Sequence, residues 1–377
     1  MIPVFEPDIT QAEIDAVVDA LKKGEISGSF GEYITRFEKM FADFIGCTHG
    51  IAVCNGTIAL HLAADVAGIS RGDEVLISAS TNIATALAAY HNNAVPVPVD
   101  SEPITWNLDL DIIESLITPR TKAIIPVHLY GHPVDMDKLI AIAKKHNLIV
   151  IEDCAESHGA TVRGKMTGSF GDMSCFSFYA NKIITTGEGG MVCTNDDELA
   201  EKLRLLRNLA FSQPRFLHRE AGYNFRMTGY QAAMGVAQTQ RLPAIIEQKR
   251  LMAKRYNERL KNIPWLQTPA ELEWAKNVYW MYGVVVKPES GMKRDELAKY
   301  LKEKGVDTRT FFCSMAGQPF LKKQEGYRVI STPVADMLWE CGLYLPSSHT
   351  LTEEQISYIS DTIKSFSKQY KYEPGFS

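Results

Sequence analysis

Short apolar strands alternate with helices through the first half of the chain, and this alternation constrains the fold more than any other feature of the sequence. Strands are predicted at 50–54, 74–78, 95–99, 122–127 and 148–151. They are rich in Val and Ile and lack a polar face, which is typical of a sheet covered on both sides. The alternation therefore predicts an α/β fold with a mostly parallel sheet.

Apolar periodicity and capping residues predict the helices of this half. They are expected at 8–22, 34–44, 58–68, 83–91, 109–117 and 136–145. In the first of them, Thr10 and Glu13 have the spacing of a capping box, in which each residue satisfies a free backbone N–H.

The second half of the chain has a different pattern and predicts a second domain. Strands are expected at 173–178, 191–194 and 282–286, and helices at 196–207, 229–260, 293–304 and 352–370. Pro243 predicts a bend or break in the long helix, because proline cannot donate a backbone hydrogen bond. We therefore predict a large domain at 1–245 and a smaller α+β domain at 246–377.

Charge and cysteine usage exclude several classes of protein. Lys and Arg number 40 against 45 Asp and Glu, giving a net charge of −5. This balance argues against nucleic-acid binding and against docking to an anionic membrane. The apolar runs are too short to span a bilayer, and the first residues do not resemble a signal peptide. The seven cysteines form no CxxC pair, so we expect a cytoplasmic protein without disulfides or a metal site.

Lys182 is the strongest candidate for chemistry. It lies among aromatic and apolar residues, just before the glycine-rich stretch 187–190. A desolvated lysine loses its proton more easily and becomes a nucleophilic amine, as Schiff-base chemistry with a carbonyl cofactor requires. A solvated loop lysine would be the better interpretation if its neighbours were ordinary.

Asp153 is the first neighbour that favours chemistry. It follows the predicted strand 148–151, and ligands of α/β sheets bind at the carboxyl ends of strands. A carboxylate there can pair with the protonated ring nitrogen of pyridoxal 5′-phosphate (PLP). Taken alone, Asp153 is equally consistent with a helix cap or a turn.

A turn at residues 55–57 predicts a phosphate site. Asn55, Gly56 and Thr57 open a helix, and backbone N–H groups at a helix N-terminus bind phosphate well. Thr57 and Ser177 could add hydroxyl groups. Alone, the segment is also compatible with an ordinary strand-to-helix turn.

The segment 222–233 places polar residues at the entry to the long predicted helix. Thr228 and Gln231 have capping-box spacing, which leaves Asn224 and Arg226 available for a ligand or a partner subunit. A purely structural helix entry is the alternative.

Together these segments resemble the sugar-nucleotide aminotransferases of the DegT/StrS group, which are fold-type I PLP enzymes. The resemblance runs almost end to end. It is strongest at 177–191, SFYANKIITTGEGGM, which is similar to the corresponding string of GDP-perosamine synthases. The segments 126–131 and 223–228 strengthen it. The resemblance implies a large domain with a mostly parallel seven-stranded sheet, flanked by helices, and a smaller C-terminal α+β domain.

The resemblance also implies roles for individual residues. Lys182 and Asp153 correspond to the Schiff-base lysine and the partner of the ring nitrogen. The implied cofactor-binding residues are Gly56, Thr57, Ile58, Asn82, Asp153, Glu156, Ser177, Lys182 and Asn224. The implied substrate-binding residues are Lys182, Glu156, Tyr179 and Arg309. Asn224 would reach the phosphate of a neighbouring subunit, so the resemblance implies a homodimer with shared active sites.

The implied reaction moves an amino group from L-glutamate, through PLP and its amine form PMP, to a 4-keto-6-deoxy nucleotide sugar. GDP-4-keto-6-deoxymannose, giving GDP-perosamine for surface polysaccharide, is the expected acceptor. Two departures keep another keto sugar open: Asn82 replaces an aromatic residue, and 309–315 lacks the prolines and histidine of relatives. A sugar dehydratase would carry His in place of Lys182, and a non-catalytic regulator would be expected to lose Lys182 or Asp153.

Several other residues are better explained by packing. His128 and His132 lack spaced metal-ligand partners, so we interpret them as packing or supporting groups. Trp265, Trp274 and Trp280 are interpreted as core of the smaller domain.

Overall fold

The computed structural model describes residues 1–214 and 216–369; residue 370 of the predicted last helix lies outside these ranges. Strands are numbered along the chain. They are β1 (His49–Val53), β2 (Glu74–Ser78), β3 (Val95–Val99), β4 (Thr121–Ile125), β5 (Ile149–Asp153), β6 (Thr161–Val162), β7 (Lys165–Met166), β8 (Met173–Ser177), β9 (Gly190–Thr194), β10 (Leu266–Gln267), β11 (Ala275–Lys276), β12 (Tyr282–Val286), β13 (Arg309–Thr310) and β14 (Gly342–Leu345).

The helices pack around these strands and are numbered in the same way. They are α1 (Gln11–Lys22), α2 (Glu32–Ile45), α3 (Gly56–Val66), α4 (Ile83–His91), α5 (Ile113–Leu116), α6 (Met136–His146), α7 (Asp197–Arg207), α8 (Gly229–Leu260), α9 (Arg294–Glu303), α10 (Pro333–Cys341) and α11 (Glu353–Gln369). The predicted capping boxes at Thr10 and Thr228 are both present.

A seven-stranded sheet forms the centre of the molecule, in the order β1-β9-β8-β5-β4-β2-β3. Only β9 runs against the others, so the predicted mostly parallel α/β sheet is confirmed. Ile51 and Val53 pack on the side of α3, whereas Ala52 between them packs with Phe37 and Phe41 of α2. Both faces are therefore buried, which explains why these strands are apolar throughout.

The helix expected at 109–117 is largely absent. Only Ile113–Leu116 is helical. The reason is local: the side chain of Asp109 accepts the N–H of Asp111 at 2.9 Å, and this turn replaces the first helical hydrogen bonds.

The C-terminal part builds a second, antiparallel sheet in the order β10-β12-β14-β13. Its core includes Tyr256 and Leu260 from the second half of α8. Helix α8 is continuous through Pro243, so the predicted break is wrong. Because α8 runs across residues 245 and 246, it connects the two predicted domains, and that division stays a prediction.

Bilayer-spanning segments were searched for in residues 1–214 and 216–369. None of the helices there combines the length and apolar character that crossing a membrane requires.

Two carboxylates end β5 and serve different purposes. Glu152 is fully buried and accepts hydrogen bonds from the N–H groups of Gly168, Phe170 and Gly171 at 2.7–2.8 Å. His128 Nε2 lies 3.1 Å from the same carboxylate. Glu152 therefore fixes the loop before β8 and, with it, the position of its neighbour Asp153.

We predict that Glu152→Gln lowers the free energy of unfolding at pH 7 by about 2–4 kcal/mol, because its amide NH₂ would face backbone donors. Burial acts to raise the pKa of Glu152, but hydrogen bonds from His128 and the loop outweigh it and hold the pKa below 4.5. The stabilisation is therefore complete above pH 4.5 and is lost as the pH falls through the folded pKa.

Urea denaturation at pH 7 and at pH 4 measures this effect. The control is Glu114→Gln. The exposed Glu114 carboxylate pairs with Lys145 and His146 on the surface, so this variant should leave the free energy of unfolding almost unchanged. Equal losses in both variants would contradict the role assigned to Glu152.

Candidate active site

The strands of the central sheet end at a cavity of about 500 Å³. Its walls follow the carboxyl ends of β1, β2, β5 and β8, where ligands of α/β sheets bind. The residues predicted from the sequence that line it are Gly56, Thr57, Ile58, Asn82, Asp153, Glu156, Ser177, Tyr179 and Lys182. The cavity therefore unites segments that are far apart in the chain.

Asp153 is almost completely buried in the cavity wall. One carboxylate oxygen accepts the N–H of Ala155 at 3.1 Å, and the other accepts the hydroxyl of Thr85 at 2.8 Å. Thr81 lies 2.8 Å from the Thr85 hydroxyl and must donate to it, since the Thr85 proton is already used. Burial raises the pKa of Asp153, and these hydrogen bonds oppose the rise. A cation in the cavity would favour the ionised carboxylate further.

Glu156 places a second buried carboxyl group in the same wall. Its Oε2 accepts the N–H of Tyr130 at 2.8 Å, and Tyr130 adopts a left-handed backbone conformation, with φ of 52°. Burial raises the pKa of Glu156, while Lys182 opposes the rise. The hydrogen bond from Tyr130 therefore fixes the carboxyl group in place.

The Lys182 amine lies between carboxylates and an aromatic ring. Burial lowers its pKa, and the charges of Glu156 and Asp153 oppose the fall. Its Nζ lies 3.7 Å from the ring centre of Trp280. The indole N–H of Trp280 donates to the carbonyl of Asn181 at 2.7 Å. Trp280 is buried in a hydrophobic core cluster, as interpreted from the sequence, and it also lines the cavity.

The N-terminus of α3 forms another part of the cavity. Asn55 caps the helix by accepting the N–H of Ile58 at 2.9 Å. Among the described residues, the N–H groups of Gly56 and Thr57 have no hydrogen-bond partner. Ser177 accepts the N–H of Tyr179 at 3.3 Å, which leaves its own proton free. These three donors suit an anion. The N–H of Ile58, which was also predicted to bind the phosphate, already donates to the side chain of Asn55.

Asn82 has a structural task as well as a place in the cavity. Its side chain accepts the N–H of Ala84 at 3.0 Å and so caps α4. It offers no flat apolar surface where the resemblance implied an aromatic residue.

Asn224 and Arg309 do not line this cavity within one subunit. Asn224 lies between Tyr223 and Phe225, whose rings stack at 4.4 Å, and Arg226 donates to Asn208 at 2.8 Å. Arg309 is exposed on β13 and lines an adjoining cavity of about 280 Å³. That cavity shares Tyr179, Asn181 and Tyr344 with the main one.

The sequence analysis missed the aromatic wall and the support of Asp153. The missed residues that line the cavity include Asn181, Glu188, Trp280, Phe312 and Tyr344. Thr85 could have been found, because it follows Thr81 by one helical turn at the entry of a predicted helix. The aromatic residues of the second half carry no comparable signal, since only tertiary packing brings them to the cavity.

His128, Glu152 and Cys154 lie close enough together to suggest a metal site. The donor atoms of His128 and Glu152 are used otherwise. His128 Nδ1 accepts the N–H of Val134 at 3.0 Å, so its Nε2 carries the proton and donates to Glu152. The group therefore acts as a buried clamp, as expected for His128.

Comparison with known proteins agrees with this geometry. The model of the DegT/DnrJ/EryC1/StrS aminotransferase family matches residues 7–364. A GDP-perosamine synthase of Caulobacter vibrioides is 43% identical over 363 residues, covering 95% of this chain and 96% of the relative. A GDP-perosamine synthase of Escherichia coli O157:H7 is 40% identical over 366 residues, covering 97% and 98%.

A solved structure confirms the fold. Spr1654 of Streptococcus pneumoniae, a candidate sugar aminotransferase solved in a PLP form, superposes with a TM-score of 0.92 at 27% identity and covers 98% of this chain and 99% of its own. The chain belongs to the DegT/DnrJ/EryC1/StrS aminotransferase family, and it is an aminotransferase. The family and the fold class predicted from the sequence are confirmed.

We predict that Gly56→Ala destabilises the protein by about 1–3 kcal/mol, since overpacking a tight contact has this cost. A Cβ at Gly56 would lie 2.7 Å from the Cβ of Ser177. Replacing Ser177 by Gly in the same chain removes the clash and should recover part of the loss. A double-mutant cycle measured by urea denaturation should therefore show coupling of more than about 0.5 kcal/mol, and strictly additive losses would rule out the contact.

Proposed function

We propose that this member of the DegT/DnrJ/EryC1/StrS family transfers an amino group from L-glutamate to GDP-4-keto-6-deoxymannose, giving GDP-perosamine. The observation that carries the proposal is the meeting of the Lys182 amine, the buried Asp153 carboxylate and the N-terminus of α3 in one cavity. The enzyme is a sugar aminotransferase, and its cofactor is PLP. The GDP-linked acceptor is supported by the names of the two relatives with 43% and 40% identity. The cytoplasm remains our expectation for its location.

The residues of the cavity fit PLP. Asp153 would accept from the protonated ring nitrogen, and Glu156 would lie beside the ring oxygen. The free N–H groups of Gly56 and Thr57 and the hydroxyl of Ser177 would hold the phosphate. Lys182 would hold the carbonyl carbon through its Nζ. When bound, PLP would supply an electron-withdrawing ring and an aldehyde carbon that accepts the amino group from one substrate and passes it to the other.

Lys182 is proposed to move the proton in each half of the reaction. Its Nζ would take the proton from the α-carbon of glutamate and pass it to the cofactor. In the second half it would take a proton back from the cofactor and deliver it to the sugar carbon that receives the amino group. The lowered pKa of Lys182, caused by burial, favours the neutral amine that this step needs. Asp153 stays ionised opposite a cationic ring nitrogen and stabilises the positive charge.

The aromatic wall suits a deoxy sugar. Trp280, Phe312 and Tyr344 line the cavity and offer apolar surface to a methyl group. Trp280 is buried, whereas Phe312 and Tyr344 are half-buried.

A different keto sugar is the second candidate. It is favoured by Asn82, which caps α4 instead of covering a ring, and by Ser314, which is buried and bonded to Thr332 at 2.9 Å where relatives carry proline. A dehydratase or a non-catalytic regulator is less well supported, because Lys182 and Asp153 are both retained in the cavity.

We also propose a homodimer in which Asn224 of one subunit reaches the cavity of the other. Two features support it. Asn224 lies outside the cavity of its own subunit. In addition, Ile14, Val18 and Leu21 form an exposed apolar stripe on α1, with exposures of 48%, 40% and 53%.

We predict that the full-length PLP-loaded protein aminates GDP-4-keto-6-deoxymannose in the presence of L-glutamate. Lys182→Ala should lower turnover by about 10³-fold or more, because both the covalent holder and the proton carrier are removed. Product mass and the visible cofactor spectrum measure the reaction with a panel of GDP-, UDP- and dTDP-linked 4-keto-6-deoxy sugars. Amination of only a UDP- or dTDP-linked sugar would replace the acceptor, and full activity of Lys182→Ala would overturn the mechanism.

A shared active site predicts complementation between two inactive variants. Lys182→Ala and Asn224→Ala proteins, mixed and refolded together, form hybrid dimers in which one site carries both changes and the other carries neither. About half of the dimers are then hybrids with one native site, so activity should return to about a quarter of wild type. Mixing without recovery would contradict the sharing, and size-exclusion chromatography checks that dimers re-form.

A further inference from the structure

Trp280 is held at both ends, and its ring faces Lys182. The indole N–H donates to the carbonyl of Asn181, the residue before Lys182, at 2.7 Å. The backbone carbonyl of Trp280 accepts from the amine of Lys249 at 2.9 Å. The ring is therefore tied to the loop of Lys182 on one side and to α8 on the other.

Lys249 is completely buried and, among the described residues, makes no ion pair. Its Nζ donates to the carbonyls of Trp280 and Ser347. Burial lowers its pKa to about 7. Burying a lysine without an opposite charge costs free energy. Through its two hydrogen bonds, Lys249 connects the segment before β12 to the segment after β14. This connection keeps Trp280 in the cavity wall.

We propose that the indole face of Trp280 receives the Lys182 amine when the amine is free and carries a proton, and that Lys249 is the residue that positions this ring. The inference rests on the proposed role of Lys182. A cation is attracted to the face of an indole, most strongly where water is excluded. The 3.7 Å distance from Nζ to the ring centre matches such a contact.

The charged groups around Lys182 have a different role from the Trp280 ring. Glu156 and Asp153 attract the ammonium form of Lys182, but both are expected to face the cofactor. His158 interacts electrostatically with Lys182, but burial lowers its pKa to about 3, so it is neutral and does not repel the ammonium group. Trp280 is thus the neutral surface on which the amine can hold its proton away from the carboxylates.

The contact favours the form of Lys182 that exists after it has taken a proton from the donor. Replacing Trp280 should therefore slow the proton-transfer step and leave glutamate binding unchanged. In the full-length enzyme, Trp280→Leu should lower kcat by about 2- to 30-fold, with KM for L-glutamate within about twofold. Trp280→Phe, which keeps a weaker ring, should fall between wild type and Trp280→Leu.

A spectroscopic measurement separates this role from a structural one. We would label lysine with ¹³C at Cε and load the enzyme with PMP, so that Lys182 carries no covalent link. The Lys182 signal, identified by its loss in Lys182→Arg, should be shifted upfield by the indole ring current. Trp280→Leu should return the Lys182 signal to the chemical shift of an ordinary lysine. Trp274 packs against Arg163 and His132 outside the cavity, so Trp274→Leu should leave the Lys182 signal shifted upfield.

Lys249→Met keeps the apolar stem and removes the donors. It should reduce the upfield shift of Lys182 without abolishing it, because the indole keeps its bond to Asn181. If Lys249→Met does not fold, the Trp280 variants decide. An ordinary chemical shift for Lys182 in the wild-type enzyme, or an upfield shift that Trp280→Leu leaves unchanged, would overturn the inference. Full activity of Lys182→Ala would instead overturn the proposed function, so the two failures are distinguishable.

Discussion

The structure depends on burying carboxylates without leaving them unpaired. Glu152 and Asp153 end the same strand and project to opposite sides of it. An isolated buried carboxylate would cost many kcal/mol, so the fold supplies donors to both. Glu152 is satisfied by three backbone N–H groups and His128. Asp153 is satisfied only in part, by Thr85 and Ala155, and keeps acceptor capacity for the cavity. One strand end thereby provides both a structural clamp and a chemical group.

The other groups of the site are likewise held by few hydrogen bonds. Glu156 is held by a single backbone N–H, from Tyr130 in a left-handed conformation, and faces the cavity with its remaining capacity. Gly56 and Thr57 leave two N–H groups free because Asn55 caps the residue beyond them. Each of these groups is therefore fixed by one or two hydrogen bonds and keeps hydrogen-bonding capacity for a ligand. A ligand with a cationic ring nitrogen and an anionic phosphate would complete all of them at once.

The sequence was sufficient where the chemistry follows from local pattern. Strands end where polar residues begin, so the sequence predicts Asp153 at the carboxyl edge of the sheet. Capping boxes at Thr10 and Thr228 were equally readable. Tertiary packing decided the remainder. It keeps α8 continuous through Pro243, it replaces most of the helix at 109–117 by a turn, and it brings Trp280 to Lys182.

Lys182 and Lys249 show why burial alone does not define a reactive amine. Burial lowers the pKa of both, but their surroundings differ. Lys249 is enclosed by the fold, and its amine is committed to two backbone carbonyls. Lys182 faces a cavity, two carboxylates and one aromatic face, and within the part of the chain that the structure describes none of these binds its amine by a hydrogen bond. Lys249 donates to two backbone carbonyls and so supports the cavity wall that faces Lys182. The reactive lysine is the one whose amine faces the cavity, and the bonds of Lys249 keep Trp280 beside it.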